Sequence, residues 1–249
     1  MTQPPPTRRD FLRLLRAGAV GAGGLLMPGA SRAEAAPAVE CPIYFFHEVA
    51  SGSSFARFII DLLNRGGHPI SVATLLASLG EGERGWPEGK RPFVITFDDG
   101  LASQRRNALP FLTDWAIPAS FAVMPGFGDG RHQYLTDSNV REIAGLGFEL
   151  VSHTMNHAAL VRLRRANPGA WAAEIVDSKA RLQDISGRPV DFFCYPFGSY
   201  DAATIDLVSQ HYRGALSTRR GLTHSAEEAY LLRRERRSHE REDGHREHE

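Results

Sequence analysis

Short apolar runs alternate with longer segments of helical periodicity along most of this chain. Apolar positions repeat at helical spacing in residues 55–64 and 170–185, among others. Strands that are apolar on both faces and are separated by helices are typical of a parallel sheet covered by helices. The clearest strand candidates are residues 43–49, 93–97, 119–124, 148–152, 191–195 and 213–217. These runs predict an α/β fold, a short and incomplete β/α barrel of parallel strands, with an open doubly wound sheet as the alternative.

The length and charge of the chain restrict its architecture and its partners. Its 249 residues are most simply one domain that can bury a sizeable core. Lysine plus arginine and aspartate plus glutamate both number 29, so the formal net charge is zero. Because no net field attracts polyanions, we expect no nucleic-acid partner. We also expect a monomer.

The N-terminal residues have the order of an export signal. Arg8 and Arg9 are paired ahead of apolar positions, residues 17–26 form a mild apolar stretch, and small residues at 33–36 offer a cleavage site. This order resembles a twin-arginine signal. About ten apolar residues are too few for a bilayer span, which needs roughly 20. We therefore predict a signal over residues 1–36 and an exported protein, periplasmic or extracellular, with no stable membrane span after signal removal. A disordered basic leader or a single membrane anchor is the alternative.

The last residues, 233–249, carry arginine, histidine and acidic side chains but no apolar one. Such composition is typical of a solvated segment. We predict a charged, disordered tail that lacks the apolar residues for a closing strand.

Two adjacent carboxylates stand where a strand should end, in the motif Thr96-Phe97-Asp98-Asp99-Gly100. Neighbouring residues of a strand face opposite sides, so Asp98 and Asp99 converge only if the strand stops there, and Gly100 permits a sharp exit. The two carboxylates would then differ in role, one bound to a cation and the other free to take a proton. The alternative is a cap for the helix predicted over residues 102–115.

Two histidines follow another predicted strand, in Ser152-His153-Thr154-Met155-Asn156-His157. Their spacing of four places both imidazoles on one face of a helical turn, a common spacing of metal ligands, although surface helices contain it by chance. Two imidazoles and one carboxylate leave coordination positions open for water and substrate. Zn²⁺ is the expected ion, and Co²⁺, Ni²⁺ or Fe²⁺ suits the same ligands. With the turn Tyr195-Pro196-Phe197-Gly198, these motifs indicate metal-assisted hydrolysis of an amide or ester.

The three motifs, in this order, resemble those of the polysaccharide deacetylases of carbohydrate esterase family 4, which carry the NodB homology domain. The resemblance covers about residues 40–232 and is closest to the branch that deacetylates poly-N-acetylglucosamine. It implies a distorted (β/α)7 barrel and a metal-dependent hydrolase. The implied activity removes N-acetyl groups from poly- or oligosaccharides that contain N-acetylglucosamine and releases acetate.

The resemblance also implies roles for single residues. Asp98 would be the general base, and the Phe197 backbone N–H would help to hold the oxyanion. The implied metal ligands are Asp99, His153 and His157. Tyr195 and Phe197 would contact the sugar, with Trp86 and Phe127 as further aromatic candidates.

Two departures from the family pattern concern the base and the acid. Cys194 stands where the family usually has an arginine that orients the base. The usual closing Leu-x-His strand, which carries the general acid, is not recognisable after Phe197. We expect His47, at the end of the first strand, to be the acid, with His224 as the next candidate; a buried structural role is the alternative for His47. An O-acetyl esterase and a catalytically idle glycan-binding domain are the rival functions, and the presence of Asp98 argues against idleness.

Overall fold

The computed structural model describes residues 38–51, 54–81, 84–128 and 132–237. The predicted export signal, residues 1–36, lies outside these described residues, and so do residues 238–249.

The core of the described chain is a curved, parallel sheet. Its strands lie in the order β10-β2-β4-β5-β6-β7-β8, every neighbouring pair is parallel, and β3 adds to β4. A separate antiparallel pair joins β1 to β9. The strands are β1 (Val39–Glu40), β2 (Ile43–Phe46), β3 (Gly67–Pro69), β4 (Arg91–Phe97), β5 (Ser120–Val123), β6 (Glu149–Ser152), β7 (Phe192–Cys194), β8 (Gly214–Leu216), β9 (Thr223–His224) and β10 (Glu235–Arg236).

Helices connect the parallel strands. They are α1 (Ser54–Asn64), α2 (Val72–Glu81), α3 (Ala102–Asn107), α4 (Leu109–Asp114), α5 (Asp137–Gly145), α6 (Leu160–Ala166), α7 (Pro168–Ser186) and α8 (Ala202–His211). The helix predicted over residues 102–115 is divided at Ala108, just ahead of Pro110, and α6 was not predicted. In the part of the chain that the structure describes, no helix has the length and apolar character needed to cross a membrane.

The two faces of the sheet pack into different cores. Phe97, Phe121 and Phe193 belong to the larger core, which includes the buried side chains of most helices. The alternate strand residues, among them Val94 and Ala122, belong to a smaller core on the inner face. Alternate residues of a strand face the same side, so a side chain that follows Val94 at an even spacing just beyond the strand also points inward, above this inner core.

The C-terminal segment differs from the prediction. Residues 233–237 are part of the fold, because β10 pairs with β2 and Leu232 bridges to Leu216 at the other edge of the sheet. Residues 232–237 thus make backbone contact with both β2 and β8, the strands at opposite ends of the rest of the sheet. The prediction of a tail from residue 233 is wrong for residues 233–237, because backbone pairing and a buried ion pair of Arg234 replace the apolar side chains that the segment lacks.

Candidate active site

A cleft of about 420 Å³ opens at the carboxyl ends of the parallel strands. In barrels of alternating strands and helices this rim carries the active site, since the loops that follow the strands meet there. The structure brings the predicted site residues together on the walls of this cleft: His47, Asp98, Asp99, His153, His157, Tyr195 and Phe197.

Asp98 points inward and is held by a buried cation. Its side chain lies on the same, inward-facing side of β4 as Val94. Its backbone N–H donates to the Phe46 carbonyl over 2.8 Å. The Arg234 guanidinium donates to both carboxylate oxygens, over 2.7 and 2.8 Å. Burial alone would raise the pKa of Asp98, but Arg234 holds that pKa below its ordinary value. The carboxylate is therefore ionised at neutral pH and fixed in orientation.

Asp99 turns away from this ion pair. Its φ of 69° lies in the left-handed region, and this reverses the chain directly after the strand. One carboxylate oxygen, Oδ1, lies 3.3 Å from Nε2 of His153 and 3.3 Å from Nε2 of His157. Burial alone would raise the pKa of Asp99, but the two imidazoles lower it below its ordinary value. Among the described residues, this buried oxygen has no hydrogen-bond donor.

The two histidines reach Asp99 from a tight turn and not from the predicted helical turn. Residues 154–156 form the turn, and φ is 63° at Thr154 and 57° at His157. Glu174 of α7 accepts hydrogen bonds from the backbone and side-chain nitrogens of Asn156, both over 2.8 Å, and anchors the turn. The spacing of four correctly predicted that the two imidazoles lie close together. A turn with left-handed backbone, and not a helix, brings them together.

His153 is oriented as a metal-ligating histidine would be. Its Nδ1 lies 2.8 Å from the Cys194 carbonyl oxygen. A carbonyl only accepts, so Nδ1 carries a proton, and Nε2, which faces Asp99, is the nitrogen that can bind an ion once its own proton is released. An outer hydrogen bond of this kind fixes tautomer and ring direction in metal sites.

Asp99, His153 and His157 fit a divalent cation. Their ligand atoms all lie within 4.8 Å of one another, and the unsatisfied Oδ1 of Asp99 is an oxygen that an ion would satisfy. Two imidazole nitrogens and one carboxylate oxygen suit zinc and neighbouring transition metals. Asp98, His153 and Cys194 lie equally close, but Arg234 already neutralises Asp98.

His47 follows β2 and lines the same cleft, whereas His224 does not. Burial lowers the pKa of His47, and the raising effect of Asp98 and Asp99 does not offset it. The fully buried His224 instead lies on β9, where its Nε2 is 2.9 Å from the Cys41 carbonyl oxygen. The structure therefore places His47, and not His224, beside the candidate base.

Of the aromatic candidates, Phe197 is exposed at the cleft. It adopts a φ of 57° in the turn Pro196–Gly198, is 68 % exposed, and its ring lies 4.4 Å from the His157 ring. Tyr195 is fully buried between Phe193 and Tyr200, so its ring is not an exposed surface for a sugar. Trp86 and Phe127 do not line the cleft.

Comparison with known proteins identifies the family. A model of the family described as polysaccharide deacetylase matches residues 86–213, which is half of the chain. The chain belongs to the polysaccharide deacetylase family.

Three relatives illustrate this membership. YxkH of Bacillus subtilis (strain 168), whose name places it among the polysaccharide deacetylases, is 25 % identical over 203 residues, which cover 78 % of this chain and 70 % of YxkH. The Streptococcus pyogenes deacetylase PplD, solved in complex with acetate, has a TM-score of 0.70 at 24 % identity and covers 80 % of this chain and 93 % of PplD. A de-N-acetylase from Aggregatibacter actinomycetemcomitans has a TM-score of 0.66 at 18 % identity and covers 78 % of this chain and 94 % of its own. These structures share the fold, and the prediction of a distorted (β/α)7 barrel is confirmed.

Arg234 is the site residue that the sequence analysis missed. It is fully buried, its guanidinium lies 4.2 Å from the centre of the Phe45 ring, and its Nε donates to the Ser217 carbonyl over 2.8 Å. Its Nη2 is also 3.2 Å from the sulfur of Cys194, the residue that stands where this polysaccharide deacetylase lacks the usual arginine. The signal available in the sequence was Cys194 itself, since the arginine that the resemblance implies at this position is missing and Asp98 lacks that cationic partner.

Proposed function

We propose that this protein is a metal-dependent hydrolase that removes N-acetyl groups from poly- or oligosaccharides containing N-acetylglucosamine and releases acetate. The observation that carries the proposal is the pairing, in one cleft, of a clamped carboxylate, Asp98, with three convergent ligand atoms. Membership of the polysaccharide deacetylases and the fold shared with a de-N-acetylase support this choice of substrate bond.

In this proposal Asp99, His153 and His157 hold the divalent cation, Zn²⁺ in the first place and Co²⁺, Ni²⁺ or Fe²⁺ otherwise. Such an ion supplies Lewis-acid polarisation of the acetyl carbonyl and of the attacking water. The tautomer of His153, fixed by the Cys194 carbonyl, keeps a nitrogen lone pair available for it.

Asp98 is the proposed general base. It takes the proton of the attacking water, a step for which a positioned side chain contributes typically about 10²–10⁴-fold in rate. Its lowered pKa keeps it unprotonated across the neutral range. Arg234 acts as a positioning residue, because its two hydrogen bonds leave the carboxylate one orientation.

His47 is the proposed general acid, and it gives a proton to the departing amine nitrogen. The lowered pKa makes its imidazolium a stronger acid, at the cost of a smaller protonated population at neutral pH. The backbone N–H of Phe197 is proposed to stabilise the developing oxyanion, and the exposed Phe197 ring to pack against the sugar face.

The test is acetate release by the purified protein, first stripped of metal and then reconstituted with Zn²⁺ or Co²⁺. We expect release from chitooligosaccharides or poly-N-acetylglucosamine by the reconstituted protein and none by the stripped protein. Release from O-acetylated xylan alone would instead assign an esterase. Binding of these glycans without any release would assign an idle binding domain.

A further inference from the structure

Among the residues that the structure describes, two arginines on the wall of the cleft have no acidic partner. Arg220 lies beyond β8 and Arg236 lies on β10; both are exposed and both line the cleft. Within the described ranges neither forms an ion pair, whereas nearby Arg233 pairs with Glu228 and Arg234 pairs with Asp98. The two cations therefore face the space that a substrate would enter.

The charges of the cleft do not compensate them. Its acidic residues are Asp98 and Asp99. Asp98 is already neutralised by Arg234, and Asp99 faces two imidazoles and is the proposed ligand of a cation. Arg236 also lies near enough to His47 to contribute to the lowering of its pKa. Glu235, next to Arg236 in sequence, accepts from the Gly221 N–H over 3.1 Å and does not line the cleft. The side chains of Arg220 and Arg236 are thus the uncompensated charges of the cleft wall itself.

A neutral glucosamine polymer does not match such a field. N-acetylglucosamine chains offer no anion to a guanidinium, and each deacetylated unit gains an ammonium group that two arginines repel. A guanidinium binds carboxylates and phosphates in planar, two-pronged fashion, which gives orientation as well as attraction. The unpaired arginines therefore favour an acidic glycan.

We propose that the substrate is an anionic glycan, in which the N-acetylated amino sugar carries, or neighbours, a carboxylate or phosphate that Arg220 and Arg236 bind. This inference rests on the proposed deacetylase function and specifies its substrate class. The anion sets the position of the acetamide relative to Asp98 and His47.

The experiment compares kcat/KM for acetate release from three oligosaccharides of equal length. One is a neutral chitooligosaccharide, one alternates N-acetylglucosamine with a carboxylated sugar, and one carries phosphorylated N-acetylglucosamine. We expect at least one anionic substrate to be preferred by about tenfold or more at low salt, since two solvent-facing ion pairs add up to about fivefold each. The preference should shrink as ionic strength rises. The two anionic arms distinguish a carboxylate from a phosphate.

Variants assign the preference to the two arginines. In Arg220→Gln with Arg236→Gln, the ratio of anionic to neutral kcat/KM should fall towards one, mainly through KM, while lysine at both positions should retain most of it. Arg57→Gln with Arg141→Gln is the matched control, because both are exposed helical residues away from the cleft and their loss removes the same two charges. That control should leave kcat/KM unchanged for both the anionic and the neutral substrate.

The outcomes separate this inference from the function on which it rests. Equal kcat/KM for neutral and anionic substrates overturns the inference and leaves the deacetylase intact. If no glycan releases acetate, the proposed function fails, and calorimetric binding of the two anionic oligosaccharides still decides the inference. Tighter binding by the natural protein than by the double glutamine variant supports it, and equal binding overturns it.

Discussion

At the scale of single residues, the two adjacent carboxylates have different surroundings. Asp98 is enclosed and paired with a permanent cation, whereas Asp99 presents an unsatisfied oxygen to two imidazoles. The sequence analysis expected the two carboxylates to differ, because they converge only if the strand ends there, and β4 does end at Phe97. It did not predict Arg234, since the partners of this ion pair are 136 positions apart and no local pattern connects them.

The first prediction separates the two carboxylates. Asp98→Asn removes the proton acceptor but no ligand, so acetate release should fall by about 10²–10⁴ while bound metal stays near one equivalent. Asp99→Asn should lower metal occupancy and activity together. Elemental analysis and turnover on the same preparations check both. Metal loss in Asp98→Asn with retention in Asp99→Asn would reverse the two assignments.

The second prediction concerns Arg234. The pKa of Asp98 is depressed, so the active, ionised form is lost only as pH falls through a value below the ordinary 3.8. In Arg234→Met the effect of burial is opposed only by the smaller effects of His153 and His47, so the pKa of Asp98 rises and the acid limb of kcat/KM should move to higher pH. Removing one partner of a buried pair also costs about 3–5 kcal/mol of stability.

Arg234→Lys is the control for this prediction. It keeps the positive charge, so the acid limb of kcat/KM should stay at low pH. Circular dichroism monitors folding of both variants. An unchanged acid limb in folded Arg234→Met would show that Arg234 does not tune Asp98.

The third prediction tests His47 as the acid. Burial lowers its pKa, so the protonated form is lost as pH rises through a value below the ordinary 6.5, and activity should decline on that basic limb. His47→Ala should lower kcat by about 10²–10⁴ and abolish the limb. His224→Ala, which alters a buried histidine outside the cleft, should keep the limb. Normal turnover by His47→Ala would assign the acid elsewhere.

At the scale of elements, the apolar strands and their helices follow from periodicity, but the connections between them do not. Runs that are apolar on both faces marked β2, β4, β5, β6, β7 and β8 near their observed positions. The strand β10 was not predicted, because its residues, Glu235–Arg236, are charged and it pairs through backbone hydrogen bonds. The turn that carries the histidines was not predicted, because a hydrophobic pattern does not indicate left-handed φ values such as those of Thr154 and His157.

The fourth prediction concerns the turn that presents Phe197. Gly198 has a φ of 63°, and a Cβ there would collide with Oγ1 of Thr218. Gly198→Ala should therefore lose more than the roughly 1–2 kcal/mol of left-handed strain and lower the Tm. Adding Thr218→Ala should restore part of the loss, because it removes the collision and leaves the strain. Thermal melts of both variants, with Gly145→Ala in open space as the control, measure the two components.

At the scale of the whole molecule, the described residues supply the cleft, whereas the predicted export signal lies outside them. The fifth prediction is that Arg8→Lys with Arg9→Lys traps an unprocessed precursor in the cytoplasm, because a twin-arginine signal depends on the pair. Fractionation with immunoblotting checks this, and a double substitution of Arg13 and Arg16 by lysine is the control. Undiminished export of processed protein by the first variant would contradict the prediction.

The Asp98–Arg234 ion pair also makes the site depend on two separate parts of the chain. The candidate metal ligands come from the loops after β4 and β6, in the middle of the sheet, whereas the partner of Asp98 arrives with the last strand. β10 is held to β2 by two residue pairs, as many as join β4 to β5 or β6 to β7, and the buried Arg234 side chain beside it adds the ion pair to Asp98. Under the proposed function, a molecule whose last strand has not docked would have its three candidate ligands in place but no fixed orientation for Asp98. Metal binding and hydrolysis would then depend on different parts of the sheet.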